Sequence, residues 1–116
     1  VALVDARKSE VKNVVVSNNP VKQIREILSK AGIIKNLDII VGNDSVHGLK
    51  NKPEPDMYAY ALKQLGIAPG EAVVVEDSLL GAEAGKRAGC FTVGVATGAL
   101  AKEEIRNAPK FFDLVI

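Results

Sequence analysis

The 116 residues fall within the size of one domain, and at 47% hydrophobic and 25% charged their composition excludes a disordered chain. Formal net charge is +1, from 15 basic and 14 acidic side chains, which excludes the electrostatic footprint of a nucleic-acid or anionic-membrane binder. No apolar run has the length of a bilayer span and no signal-peptide pattern opens the sequence, so a soluble cytoplasmic protein is expected.

In chain order, residues 1–11 are read as a helix. A strand at Val1 to Val4 would leave too few residues before the next strand for a parallel crossover. Asn13 to Ser17 is a β-branched run, continuous rather than alternating, as suits a parallel strand covered on both faces. Asn19 is expected to cap the following helix with Pro20 in its first turn. Val21, Ile24, Ile27, Leu28 and Ala31 then recur at helical spacing before Gly32. Asp38 to Gly42 reads as a second strand, and the polar stretch 43–51 as a turn region. Prolines forbid helix until Pro55, after which Tyr58, Ala61, Leu62 and Leu65 form one face up to Gly66.

Ala72 to Val75 is a third strand, and a small-residue helix runs from about Ser78 to Ala88, closed by Gly89. Phe91 to Val95 is a fourth strand, residues 101–107 a short helix, and Phe112 to Ile116 a last strand. The single cysteine, Cys90, excludes an internal disulfide and reads as a buried small hydrophobe. His47 and Asp44, in a Gly- and Ser-containing loop, are assigned no role. Strands alternating with helices predict one α/β unit with a parallel sheet.

Three polar clusters follow strand ends, the edge of an open parallel sheet where ligands bind. Ser17-Asn18-Asn19 offers a hydroxyl, an amide and helix N-terminal N–H groups, which suit either a phosphate or ordinary capping. Lys52, in Lys-Asn-Lys-Pro-Glu-Pro-Asp, is held by a proline turn. Its charge can stabilise a phosphoryl group, or it can be a solvated loop lysine. Glu76-Asp77 places two hard oxygen donors side by side, as a Mg²⁺ site would, unless Asp77 merely caps the next helix.

Together, Val-Val-Val-Ser17-Asn, Lys52-Pro-Glu-Pro-Asp and Val-Val-Val-Glu76-Asp77-Ser-Leu-Leu-Gly-Ala-Glu-Ala-Gly-Lys-Arg-Ala-Gly resemble the second, third and fourth motifs of the haloacid dehalogenase superfamily. The resemblance is nearest to its β-phosphoglucomutase and phosphoglycolate-phosphatase-like branch. It implies a Rossmann-like, three-layer α/β/α core, with residues 1–116 forming its carboxy-terminal part. It also implies a Mg²⁺-dependent phosphatase or phosphomutase acting on a small phosphorylated metabolite through an aspartyl-phosphate. Ser17 and the backbone of Asn18 would bind the phosphoryl group. Lys52, favoured over Lys50 by the proline that follows it, would neutralise charge on that group and on the nucleophile. Glu76 and Asp77 would hold Mg²⁺.

The family's first motif, Asp-x-Asp, does not occur in this sequence, and Asp5-Ala6-Arg7 does not replace it. The cap expected between the first and second motifs is absent too. The resemblance sets the first strand between the Ser17 and Asp77 strands, so an amino-terminal segment or another chain is expected to complete the sheet. The alternative function is a noncatalytic phosphate- or metal-binding module, or a flavodoxin-like regulatory domain.

Overall fold

A computed structural model describes residues 11–95 and 110–116. The elements are β1 (Val14–Val16), α1 (Val21–Ala31), β2 (Ile39–Val41), α2 (Asp56–Leu65), β3 (Val73–Glu76), α3 (Leu79–Arg87), β4 (Phe91–Gly94) and β5 (Leu114–Val115), with one-turn 3₁₀ segments at Ile34–Asn36 and Pro69–Glu71. Every strand pairing is parallel. β1 pairs with β2 in the register Val14–Ile39 to Val16–Val41, while β3, β4 and β5 form a second sheet in that order. This is a Rossmann-like α/β arrangement with flanking helices. The expected helices at 1–11 and 101–107 lie outside the described residues, apart from Val11.

Among the described residues β1 and β3 are not paired with each other. They are nevertheless neighbours, because one side chain, Lys52, reaches the last carbonyl of β1 and the last carboxylate of β3. α2 connects the two sheets, packing against β1, β2 and α3.

Several local expectations are corrected. The cap of α1 is Pro20, not Asn19. Proline's fixed φ (−64°) is compatible with the extended ψ of 148° found there, and the carboxylate of Asp44 takes the Val21 N–H at 2.9 Å. Asp44, assigned no role from sequence, thus caps a helix from a distant loop. The buried stripe of α1 is Ile24 and Leu28, with Ile27 56% exposed. In α2 the buried positions are Met57 and Ala61, with Tyr58, Leu62 and Leu65 of the expected face only half-buried. β1 is half-buried along its length rather than covered on both faces, and Val73 is exposed. α1 and α2 end as expected, at Gly32 and Gly66 with φ of +75° and +67°, a conformation that disfavours any side chain.

The small residues of α3 let it sit close to the sheet. Gly81, Ala82, Ala84 and Gly85 are all buried, and a Cβ on Gly85 would lie 2.9 Å from Thr92 Cγ2 and 3.0 Å from Val74 Cγ1. Two apolar clusters result. Val41, Met57 and Ala61 pack with Val14, Val16, Ile39, Leu49 and Tyr60; Ala82 and Phe112 pack with Leu79, Phe111 and Val115. The carboxy-terminal strand is fastened by the buried Thr92. Its hydroxyl donates to the Phe111 carbonyl at 2.5 Å, and its N–H donates to Asp113 Oδ2 at 2.7 Å. Lys86 closes an ion pair on the same carboxylate oxygen. No helix among the described residues is long and apolar enough to cross a membrane.

Candidate functional site

The three polar clusters predicted at strand ends converge where the carboxyl ends of β1 and β3 meet. Lys52 is the element that joins them. Its loop lies between β2 and α2, and the Lys52–Pro53 peptide bond is cis. The Lys52 N–H donates to Asn18 Oδ1 at 2.9 Å, which ties that loop to the turn after β1. The ammonium then donates to the Val16 carbonyl at 2.9 Å and to Glu76 Oε2 at 2.6 Å. Both side chains of this ion pair are only 10% exposed. An ammonium has three N–H donors, and among the described residues only two of them are used.

Ser17 follows directly on Val16. Its Oγ accepts from the Asn19 N–H at 3.2 Å and from Asn19 Nδ2 at 3.1 Å. With its acceptor positions used, the hydroxyl proton is left to donate, which suits an anionic oxygen. Asn18 is held by both its oxygens: Oδ1 accepts from Lys52, and the carbonyl accepts from Asn43 Nδ2 at 2.6 Å. The Asn18 N–H has no partner among the described residues. By contrast, the first N–H of α1, at Val21, is occupied by Asp44.

Glu76 ends β3 with its carboxylate against the first turn of α3. A Cβ on Gly81 would lie 2.1 Å from Glu76 Cδ and Oε1, so a side chain there would push the carboxylate out of its present position. The N-terminal end of a helix also favours the negative charge. Ser78 caps α3, its Oγ accepting from the Gly81 N–H at 3.1 Å, so the cap is not Asp77.

Tyr58, which the sequence reading places only on a helical face, joins this cluster. Its hydroxyl donates to Glu76 Oε2, the same oxygen that receives Lys52, and its ring centroid lies 5.0 Å from the Lys52 ammonium. Burial first, then the charge of Glu76 and the hydrogen bond to it, push the phenol well above its ordinary range, so it stays protonated and remains a donor. The available signal is weak but physical: a tyrosine hydroxyl withdrawn from water must find a partner.

Glu76 and Asp77 differ in what they leave free. Glu76 is engaged by Lys52 and Tyr58, whereas Asp77, half-buried, has no protein partner among the described residues. No group of three or more His, Cys, Asp or Glu side chains gathers among the described residues. A hard cation that takes one or two carboxylates and fills its shell with water and ligand oxygens would find only Asp77 of this pair without a protein partner. Asp77 is the carboxylate available for direct contact. Cys90 is buried and its thiol is pushed up by that burial, which leaves it a packing residue.

The profile of the haloacid dehalogenase-like hydrolases matches residues 2–95. The validoxylamine A 7'-phosphate phosphatase of Streptomyces hygroscopicus subsp. limoneus is 36% identical over 83 residues, covering 72% of this chain and 38% of that protein. The phosphoglycolate phosphatase of Escherichia coli (strain K12) is 34% identical over the same length, covering 72% of this chain and 32% of that protein. Among solved structures, a candidate β-phosphoglucomutase from Thermotoga maritima superposes with a TM-score of 0.81 at 27% identity, covering 95% of this chain and 50% of that one. The chain thus spans about a third of these curated relatives and half of the solved structure.

Proposed function

Because the chain belongs to the haloacid dehalogenase-like hydrolase family, we propose that it is the carboxy-terminal part of the core of a Mg²⁺-dependent phosphatase or phosphomutase acting on a small phosphorylated metabolite. One observation carries this reading: Lys52 is fixed between Glu76 and the carbonyl of Val16, the residue before Ser17, with one ammonium N–H free among the described residues.

Phosphoryl transfer needs little covalent work from most of the protein; positioning and charge neutralisation dominate. Ser17 donates its hydroxyl proton to a phosphoryl oxygen, and the Asn18 N–H donates to another. The Lys52 ammonium neutralises charge that spreads over the phosphoryl oxygens and the attacking carboxylate. Since Val16 and Glu76 already hold it, little reorganisation accompanies the reaction. Asp77 would hold Mg²⁺, with Glu76 orienting it through water or by direct contact. When bound, that ion supplies positive charge to the phosphoryl oxygens. The nucleophile is an aspartate of an Asp-x-Asp pair. No such pair occurs in these 116 residues, so in this reading an amino-terminal segment or another chain supplies it. The two relatives named as phosphatases support the substrate class.

Phosphate release from a panel of small phosphate monoesters tests the reading. Turnover is expected from the full-length protein with Mg²⁺, and none from the 116-residue chain alone. Turnover by the 116-residue chain that vanished on Lys52→Ala would sink the assignment of the nucleophile to another segment.

A further inference from the structure

The geometry points to Tyr58 as a positioning residue for the phosphoryl site, acting through the Lys52–Glu76 ion pair. The inference rests on the reading of Lys52 given above and adds a component to it.

Lys52 has a flexible four-carbon stem, so its ammonium is useful only if several contacts fix it. Two of those contacts are direct, to Val16 and Glu76. The second depends on Glu76 presenting Oε2 toward Lys52 rather than turning away. Gly81 gives the carboxylate room but does not choose its rotation. Tyr58 makes that choice: its hydroxyl donates to Oε2, the oxygen that Lys52 uses. The ring also faces the ammonium from 5.0 Å, within cation–π range, so one side chain touches both members of the pair.

The sequence makes this possible locally. Tyr58 is the third residue of α2, and α2 starts where the Lys52-Pro-Glu-Pro turn ends. Turn and helix therefore deliver ammonium and phenol together, six positions apart, to a carboxylate from another sheet. A phenylalanine would fill nearly the same volume and keep the ring, so volume does not explain the hydroxyl. Its hydrogen bond to Glu76 does.

Tyr58→Phe in the full-length protein separates positioning from packing. Inorganic phosphate serves as a competitive inhibitor, and its inhibition constant does not depend on the fraction of folded enzyme. Tyr58→Phe is expected to raise that constant about fivefold and lower kcat about tenfold, while the lost hydrogen bond to Glu76 lowers the melting temperature by about 3–10 °C. Tyr58→Leu, which also removes the ring, is expected to weaken phosphate further. An unchanged inhibition constant in Tyr58→Phe, in an enzyme whose Lys52→Ala variant loses activity, overturns the inference and leaves the reading of the site intact. Full activity in Lys52→Ala overturns both.

Discussion

Gly81→Ala probes the placement of Glu76 directly. On an unconstrained helix this change stabilises, because alanine exceeds glycine in helix propensity by about 1 kcal/mol. Here the new methyl group would lie 2.1 Å from Glu76 Cδ and Oε1 and 2.5 Å from Oε2. An ordinary contact needs more than an ångström beyond that, so either the carboxylate leaves or α3 lifts from the sheet. If the carboxylate leaves, it abandons hydrogen bonds from Lys52 and Tyr58. Bonds to a charged group contribute about 1.5–3 kcal/mol each. Partial relaxation and the propensity gain offset some of this, which leaves a net destabilisation of about 2–4 kcal/mol. In a protein about twice this length, that lowers the melting temperature by about 5–15 °C. Thermal unfolding of the full-length protein, followed by circular dichroism alongside phosphate release, measures both consequences. Gly70→Ala is the control, since nothing lies within 4 Å of the added carbon and the change should stay within about 0.5 kcal/mol. A Gly81→Ala protein as stable and as active as wild type would refute this placement of Glu76.

Other expectations follow from the same contacts. Asp77→Asn should lower activity and the apparent affinity for Mg²⁺ far more than Glu83→Gln, because Glu83 pairs with Arg87 at 2.9 Å on α3; equal activity in the two would show Asp77 to be misassigned. Asp44→Ala removes the acceptor of the Val21 N–H and should cost about 1 kcal/mol in unfolding free energy, read from denaturant midpoints. Asp113 is held below the usual carboxylate range by its hydrogen bond from Lys86 and then by the Thr92 N–H. Its contribution is therefore complete above the unfolded value of about 3.9 and lost as pH falls through the lower folded value. Asp113→Asn should thus lower the melting temperature at pH 7, and the difference from wild type should close once pH falls well below 4.

Much of this fold is legible because its signals are local. Three-valine runs, αL glycines after α1 and α2, and prolines before α2 each act within a few residues, and each lies within a residue or two of its expected place. What was not legible depends on partners far along the chain. Asp44 reaches α1 across 23 positions, and so displaces the capping role expected of Asn19. Tyr58 sits at a helical spacing that fits an apolar face equally well; only its approach to Glu76, 18 positions away, distinguishes a site residue from a packing one. Residue types and order point to Ser17, Asn18, Lys52, Glu76 and Asp77 as a candidate site. That Glu76 is engaged by Lys52, leaving Asp77 as the free carboxylate, is a matter of distances that spacing alone does not contain.

Lys52, held between two strand ends, is proposed to neutralise a phosphoryl group. Steady-state phosphate release by the full-length protein at saturating Mg²⁺ tests it with Lys52→Ala and Lys50→Ala compared side by side. Lys50 is exposed and two residues away, which makes it the matched control. Removing a preorganised charge aimed at the transition state typically costs on the order of 100-fold or more in kcat. A loss of that size in Lys52→Ala with Lys50→Ala within twofold of wild type is the expected result; equal rates in the two variants would contradict the claim.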